Sequence, residues 1–136
     1  MKAPVSTRFT MPITATEADI DEVGHVGNLV YLRWVMEVAM EHSRARGWDY
    51  PDYTTFGAVF MVRRHEIDYV AQVNLGETLS AETWVDEWRA ASCIRKTELL
   101  RDGKVVARAA TTWALISLGS GRPIRIPDEM RDKFVA

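Results

Sequence analysis

The stretch "LVYLRWVMEVAMEHSRAR", residues 29–46, limits the possible folds more than any other part of the chain. Leu29, Leu32, Met36, Ala39, Met40 and Ser43 recur at the three-to-four spacing of one helix face. Val30, Tyr31, Trp34, Val35 and Val38 widen the apolar surface, and only Arg33, Glu37, Glu41 and Arg44 form a polar stripe. A helix that is apolar over most of its circumference has to be covered on several sides. The charges interrupt it too often for a membrane span, which needs roughly 18 uninterrupted apolar residues. An antiparallel sheet curved around the helix would cover it.

The remainder supplies strands for such a sheet. Residues 7–16 alternate as a first strand, with Pro12 favouring an edge or a bulge. Residues 49–57 are a loop with a short helical turn. Residues 58–71, 78–88, 92–101 and 104–118 read as further strands, and Asp102-Gly103 is a two-residue hairpin turn joining the last two. After a Gly/Ser turn, Pro127 with Asp128 and Glu129 marks a helix start. The expected order is strand, long helix, then four strands in an antiparallel meander, an α+β arrangement.

The 136 residues suit one domain spanning 1–136, and 47% apolar with 26% charged residues is ordinary globular composition. A net charge of -2 gives no electrostatic case for nucleic acid. The N-terminus "MKAPVSTRFTMP" has no signal-peptide core, and the single cysteine, Cys93, allows no intrachain disulfide. A cytoplasmic protein with no membrane partner is expected. The histidines at 25, 42 and 65 have no metal-ligand spacing.

The candidate chemistry precedes the helix, in "EADIDEVGHVGN", residues 17–28. An exposed aspartate is ionised near neutral pH without tuning, so Asp21 can act directly as a catalytic carboxylate. The first N–H groups of a helix lack intrahelical partners and lie at the positive end of its dipole. A substrate carbonyl oxygen at the Asn28 amide would gain both effects. Gly24 permits a sharp turn between carboxylate and helix. Asp and Asn in a glycine-containing loop are also ordinary turn formers and caps, which is the role expected of Asp19. His25 either polarises a substrate or ties the loop together.

"DIDEVGHVGNLVYLRW", residues 19–34, resembles the signature of the hotdog-fold acyl-CoA thioesterases of the 4-hydroxybenzoyl-CoA thioesterase type. "RRHEIDYVAQVNLGETLSAETWVDEW" and "RPIRIPDEMRDKF" are similar to later strands and the C-terminal end of that family. The resemblance implies a hotdog fold, a curved sheet around one central helix, and hydrolysis of an acyl-CoA. It assigns Asp21, Asn28 and His25 to catalysis, and Gly27, Tyr31, Arg89 and Ser92 to substrate contact. It implies no metal or redox cofactor, and a homodimer or homotetramer with its site at a subunit interface. Gly27 departs from the family pattern, where asparagine is common, and makes room beside the loop. Ala90 and Ala91 replace basic positions of a nucleotide-contacting stretch, for which Arg63, Arg64 and Arg95 are candidate substitutes. Trp34 and Trp113 are candidates for an acyl pocket, Glu66 is a reserve carboxylate, and His65, next to it on a strand, faces the opposite way. Cys93 is read as inert packing, and His42 as packing or surface. Rival readings are an acyl-thioester-binding or dehydratase protein of the same fold, and a non-enzymatic hydrophobe-binding module.

Overall fold

Seventeen residues of the expected helix, 29–45, lie in α1, Asn28–Ala45, in a computed structural model that describes residues 7–135. Residues 1–6, part of the N-terminal stretch expected to lack a signal-peptide core, lie outside the described residues. The face of α1 that is buried carries Tyr31, Trp34, Val35, Val38, Ala39 and His42. It is not the stripe expected to lead, since Leu29 remains 75% exposed and Met40 56% exposed. The sheet covers one side of α1, and the ring-bearing side offers the larger area to remove from water. In the single chain the second stripe is open at Leu29 and Met40, while Leu32 and Met36 are half-buried and Ala39 is buried.

The strands are β1 (Phe9–Thr14), β2 (Ala58–Tyr69), β3 (Thr78–Trp88), β4 (Ser92–Arg101) and β5 (Lys104–Ser117). They form one antiparallel sheet in the order β1-β3-β4-β5-β2. The expected four-strand meander therefore holds only from β3 to β5. β2 lies beside β5 at an edge, not beside β3. The reason is in the 70–77 connection, which is held by the Val70 and Ala71 amides on the Val106 carbonyl (2.9 and 3.0 Å) and by the Val26 amide on the Val73 carbonyl (2.9 Å). These bonds carry the chain under the loop before α1 and deliver it to the other side of the sheet.

Asp102 (φ 52°) and Gly103 (φ 78°) make the tight β4–β5 turn that this pair of residues favours. Register shifts at Val62/Arg64, Val85/Glu87 and Leu99/Leu100 mark bulges. Each bulge bends its strand and increases the local twist, and the sheet curls over α1. Ile13, Trp34, Val38, Leu79, Leu99 and Val106 form one buried cluster linking α1 to β1, β3, β4 and β5.

The expected loop after α1 contains a complete short helix, α2 (Tyr50–Phe56). Asp49 caps it by accepting from the Tyr50 amide (2.8 Å), and Asp52 accepts from the Asp49 amide (2.9 Å). Pro127 precedes α3 (Asp128–Arg131) as expected, and Met130 and Phe134 seal the far end of the sheet. Among the described residues no helix is long and apolar enough to cross a membrane.

Candidate active site

The loop leading into α1 is built on Asp19. Its side chain is 4% exposed and accepts from the Thr16 amide (2.8 Å), the Thr16 hydroxyl (3.1 Å) and Arg33 Nη2 of α1 (2.5 Å). Burial by itself would raise this carboxyl, but the bonds from Thr16 and Arg33 outweigh it and hold it below the usual carboxylate range. Asp19 is thus an ionised anchor between loop and helix. Asp19→Asn is expected to lower the free energy of unfolding by about 1–3 kcal/mol, because Arg33 loses its buried acceptor charge. Urea unfolding of the two proteins checks this, and equal midpoints would contradict it.

Beyond Asp19 the chain closes into a tight loop. The Asp21 amide donates to the His25 carbonyl (2.9 Å), and the Gly24 amide to the Asp21 carbonyl (3.0 Å). Gly24 adopts φ 90°, which L side chains rarely tolerate. Asp21 is exposed, and its Oδ1 accepts from the Val23 amide (2.9 Å). Its Oδ2 lies 3.7 Å from the point that a Cβ on Gly27 would occupy. Gly27 is the N-cap of α1, so the Asp21 carboxylate stands beside the helix N-terminus. There the amides of Asn28 and Leu29 have no protein acceptor among the described residues. The structure therefore brings together a carboxylate and a pair of unsatisfied donors at the positive end of the helix dipole.

His25 sits on the same loop, with Nδ1 2.8 Å from the Asn74 Oδ1 of the β2–β3 connection. This bond ties the loop to its neighbour, one of the two roles expected of it. Tyr31 is buried one turn into α1, donates to the Ala71 carbonyl (3.2 Å), and meets Tyr69 edge-on (ring centroids 5.3 Å). Val26, Asn28, Tyr31, Tyr69, Val70 and Gln72 line an open cleft of about 310 Å³ beside the helix start.

Arg89 and Ser92 are not near this loop in the same chain. The loop adjoins the start of β3 through the Ala15 amide on the Glu77 carbonyl (3.0 Å). Arg89 follows the other end of that strand, roughly 33 Å away at about 3.3 Å per residue. There Arg89, Arg125 and Arg131 line a cleft of about 270 Å³ with Trp88, and the Arg89 amide donates to the Ser92 carbonyl (2.8 Å).

Two residues, Arg95 and Trp34, occupy places the sequence did not suggest. Arg95 is not a surface contact for a nucleotide. It is 7% exposed, and its Nη1 donates to His42 Nδ1 (2.8 Å) and Thr83 Oγ1 (3.1 Å). The alternation of β4 contained the signal, since Arg95 shares the inward parity of Cys93, Thr97 and Leu99. Trp34 belongs to the main core, whereas Trp113 lines a cavity. His42 is fully buried. Cys93 is buried and its thiol is pushed up to about 11 by desolvation, as suits inert packing. Glu66 is exposed and paired with Arg64, while His65 turns inward to Thr111 (2.9 Å).

The cavity at Arg95 measures about 360 Å³ and lies between the C-terminal half of α1, α2 and β2. Its wall includes Met36, Met40, Tyr53, Phe60, Trp88 and Trp113. Sequence reasoning missed it because its lining comes from separate elements.

The family model described as the thioesterase-like superfamily matches residues 16–134. The chain is 25% identical over 127 residues to acyl-CoA thioesterase YbgC from Haemophilus influenzae, covering 93% of each. A solved structure of a predicted thioesterase from Bacillus stearothermophilus is 26% identical and superposes with a TM-score of 0.84, covering 94% of each chain. A protein from Lactobacillus plantarum assigned as an oleoyl thioesterase shares the fold at a TM-score of 0.91 and 15% identity, over 95% of this chain. This chain spans only 51% of that longer one.

Proposed function

Since the chain belongs to the thioesterase-like superfamily, we propose that it hydrolyses an acyl-CoA to a free carboxylic acid and coenzyme A. The observation that carries this reading is the Asp21 carboxylate beside the unsatisfied amides at the start of α1. The thioester carbonyl oxygen seats on the Asn28 amide, where hydrogen bonding and the helix dipole stabilise the developing oxyanion. Asp21 takes a proton from water as the water oxygen bonds to the carbonyl carbon. The tetrahedral oxyanion then collapses, the C–S bond breaks, and coenzyme A leaves as a thiolate that recovers the proton. His25 holds the loop through Asn74, and Tyr31 with the adjacent cleft supports the thioester. Gly27 leaves the space beside Asp21 open. No metal or redox group takes part in these steps.

The working unit of this proposal is a homodimer joined at β2, or a tetramer of such dimers, in the reducing cytoplasm. β2 is an edge strand, and exposed apolar Leu29, Met40, Tyr50 and Met61 lie on it and on the two helices beside it. Two-fold pairing at this edge covers the open stripe of α1 and sets the two copies of α1 antiparallel. It also relates the Asp21 loop of one copy to the far end of the other. The arginine-lined cleft with Arg89 and neighbouring Ser92 then meets the coenzyme A phosphates.

Thiol release across a panel of aliphatic and aromatic acyl-CoAs tests the activity. A folded protein that releases thiol from none of them defeats the proposal. Met61→Lys places a charge on the β2 edge and is expected to turn the dimer into a monomer with little activity. Light scattering reads the mass, and a parental dimer in this variant would remove β2 from the interface.

A further inference from the structure

The cavity between α1, α2 and β2 holds a positive charge with no anionic partner. Among the described residues, Arg95 is hydrogen-bonded only to neutral groups, the His42 imidazole and the Thr83 hydroxyl. His42 is kept neutral by burial, its value lowered to about 3. Desolvation draws Arg95 down to about 10, so it stays protonated near neutral pH. Asp49 also lines the cavity, but its carboxylate caps α2 at the Tyr50 amide and pairs with Arg44. A buried guanidinium without an anion is costly, and a cavity beside it can receive the missing charge from a ligand.

Two further features belong to the same wall. Trp88 and Trp113 both line the cavity, and each has a buried Nε1–H with no acceptor. The other walls, including Met36, Met40 and Phe60, suit a hydrocarbon or an aromatic ring. At about 360 Å³ the space falls within the size range of small-molecule sites. A ligand that satisfies all of this has an apolar body and a terminal group that accepts several hydrogen bonds as an anion.

Building on the reading of this chain as an acyl-CoA thioesterase, we propose that the cavity receives the far end of the acyl group and that Arg95 pairs with a carboxylate there, which makes monothioesters of dicarboxylic acids the preferred substrates. The cavity begins at Met36, eight residues after Asn28, about 12 Å along α1 at about 1.5 Å per residue. Antiparallel packing of two copies of α1 brings the Asp21 loop of the second copy toward it. The acyl group then runs from that loop into the cavity, and its carboxylate replaces the solvent that Arg95 has lost. A neutral acyl group of the same length leaves the guanidinium unpaired.

The experiment compares kcat/KM for adipoyl-CoA with hexanoyl-CoA, and for 4-carboxybenzoyl-CoA with benzoyl-CoA, by thiol release. The parent is expected to favour the carboxylated member of at least one pair by roughly tenfold or more, as for other fully desolvated charge pairs. Arg95→Met keeps the length and apolar contacts, and is expected to bring that ratio to one or below. An equal rate for both members of both pairs in the parent overturns the inference while leaving thioester hydrolysis standing. So does a folded Arg95→Met protein that keeps the preference. Should Arg95→Met not fold, the parent alone decides by binding. Titration with adipate, and separately with uncharged hexanamide, is followed through tryptophan fluorescence, which reports on Trp88 and Trp113. Tighter binding of adipate supports the inference, and equal or weaker binding overturns it. If adipate binds more tightly but no acyl-CoA in the panel is cleaved, the cavity assignment stands and the hydrolytic reading fails.

Discussion

Asp21→Asn is expected to lower the rate of acyl-CoA hydrolysis by roughly 10²–10⁴-fold with thermal melting unchanged. The side chain is exposed, and its one structural bond is the acceptor for the Val23 amide, which an asparagine oxygen preserves. What disappears is the charge beside the α1 N-terminus and the ability to take a proton from water. His25→Ala is expected to fall between this variant and the parent, since losing the bond to Asn74 displaces the loop without removing the carboxylate. Asp19→Asn affects stability far more than turnover, because Asp19 is buried against Arg33 and Thr16. Rates for all three are read on the best acyl-CoA of the panel. A folded Asp21→Asn protein that hydrolyses at the parental rate would end the proposed chemistry and move attention to the exposed carboxylate of Glu66. Single-turnover hydrolysis in heavy-oxygen water separates the base role from direct attack. Label that enters the product acid, and not the protein, marks the base.

Lowering the pH is expected to destabilise the protein through His42 well before the carboxylates titrate. His42 is fully buried, stacked on Phe9 (centroids 5.3 Å) and edge-on to Phe134 (5.1 Å). Burial first, then Arg95 and Arg46, lower its value from 6.5 to about 3. Between these values the unfolded chain binds a proton at His42 that the folded chain does not. Stability therefore falls as pH decreases through this window, with a slope approaching ~1.4 kcal/mol per pH unit. From about pH 6.5 to 4.5 the loss approaches about 2–3 kcal/mol from this one residue. His65, also lowered by burial, contributes in the same direction. His42→Asn keeps an acceptor for Arg95 and does not titrate, so the difference between parent and variant isolates His42. Urea unfolding at several pH values measures it, and parallel pH dependences for the two proteins would show that His42 is not kept neutral by the fold.

Much of the fold and of the loop was legible because the signals are local. β3 and β4 occupy the very residues whose polarity alternates, 78–88 and 92–101. The Asp102-Gly103 turn follows from backbone preferences at two neighbouring residues. The loop with Asp21 and Gly24 precedes an 18-residue helix that begins at Asn28, one residue before its apolar pattern. The structural role of Asp19 was legible only in outline. Asp19 and Asp21 are aspartates in one turn, and the salt bridge to Arg33, fourteen residues on, is what turns Asp19 into an anchor.

By itself the sequence determined the type and extent of the elements, the carboxylate-bearing loop and its place at a helix start. Those features depend on hydrogen bonding and side-chain periodicity within a few residues. The tertiary structure alone decided that β2 lies beside β5, that the Tyr31–Trp34–Val38 side of α1 is covered while Leu29 and Met40 are left open, and that Arg95 is enclosed with His42. Each of these is a matter of which groups lose water, and that depends on the surfaces packed against a residue from distant parts of the chain, not on its neighbours in sequence.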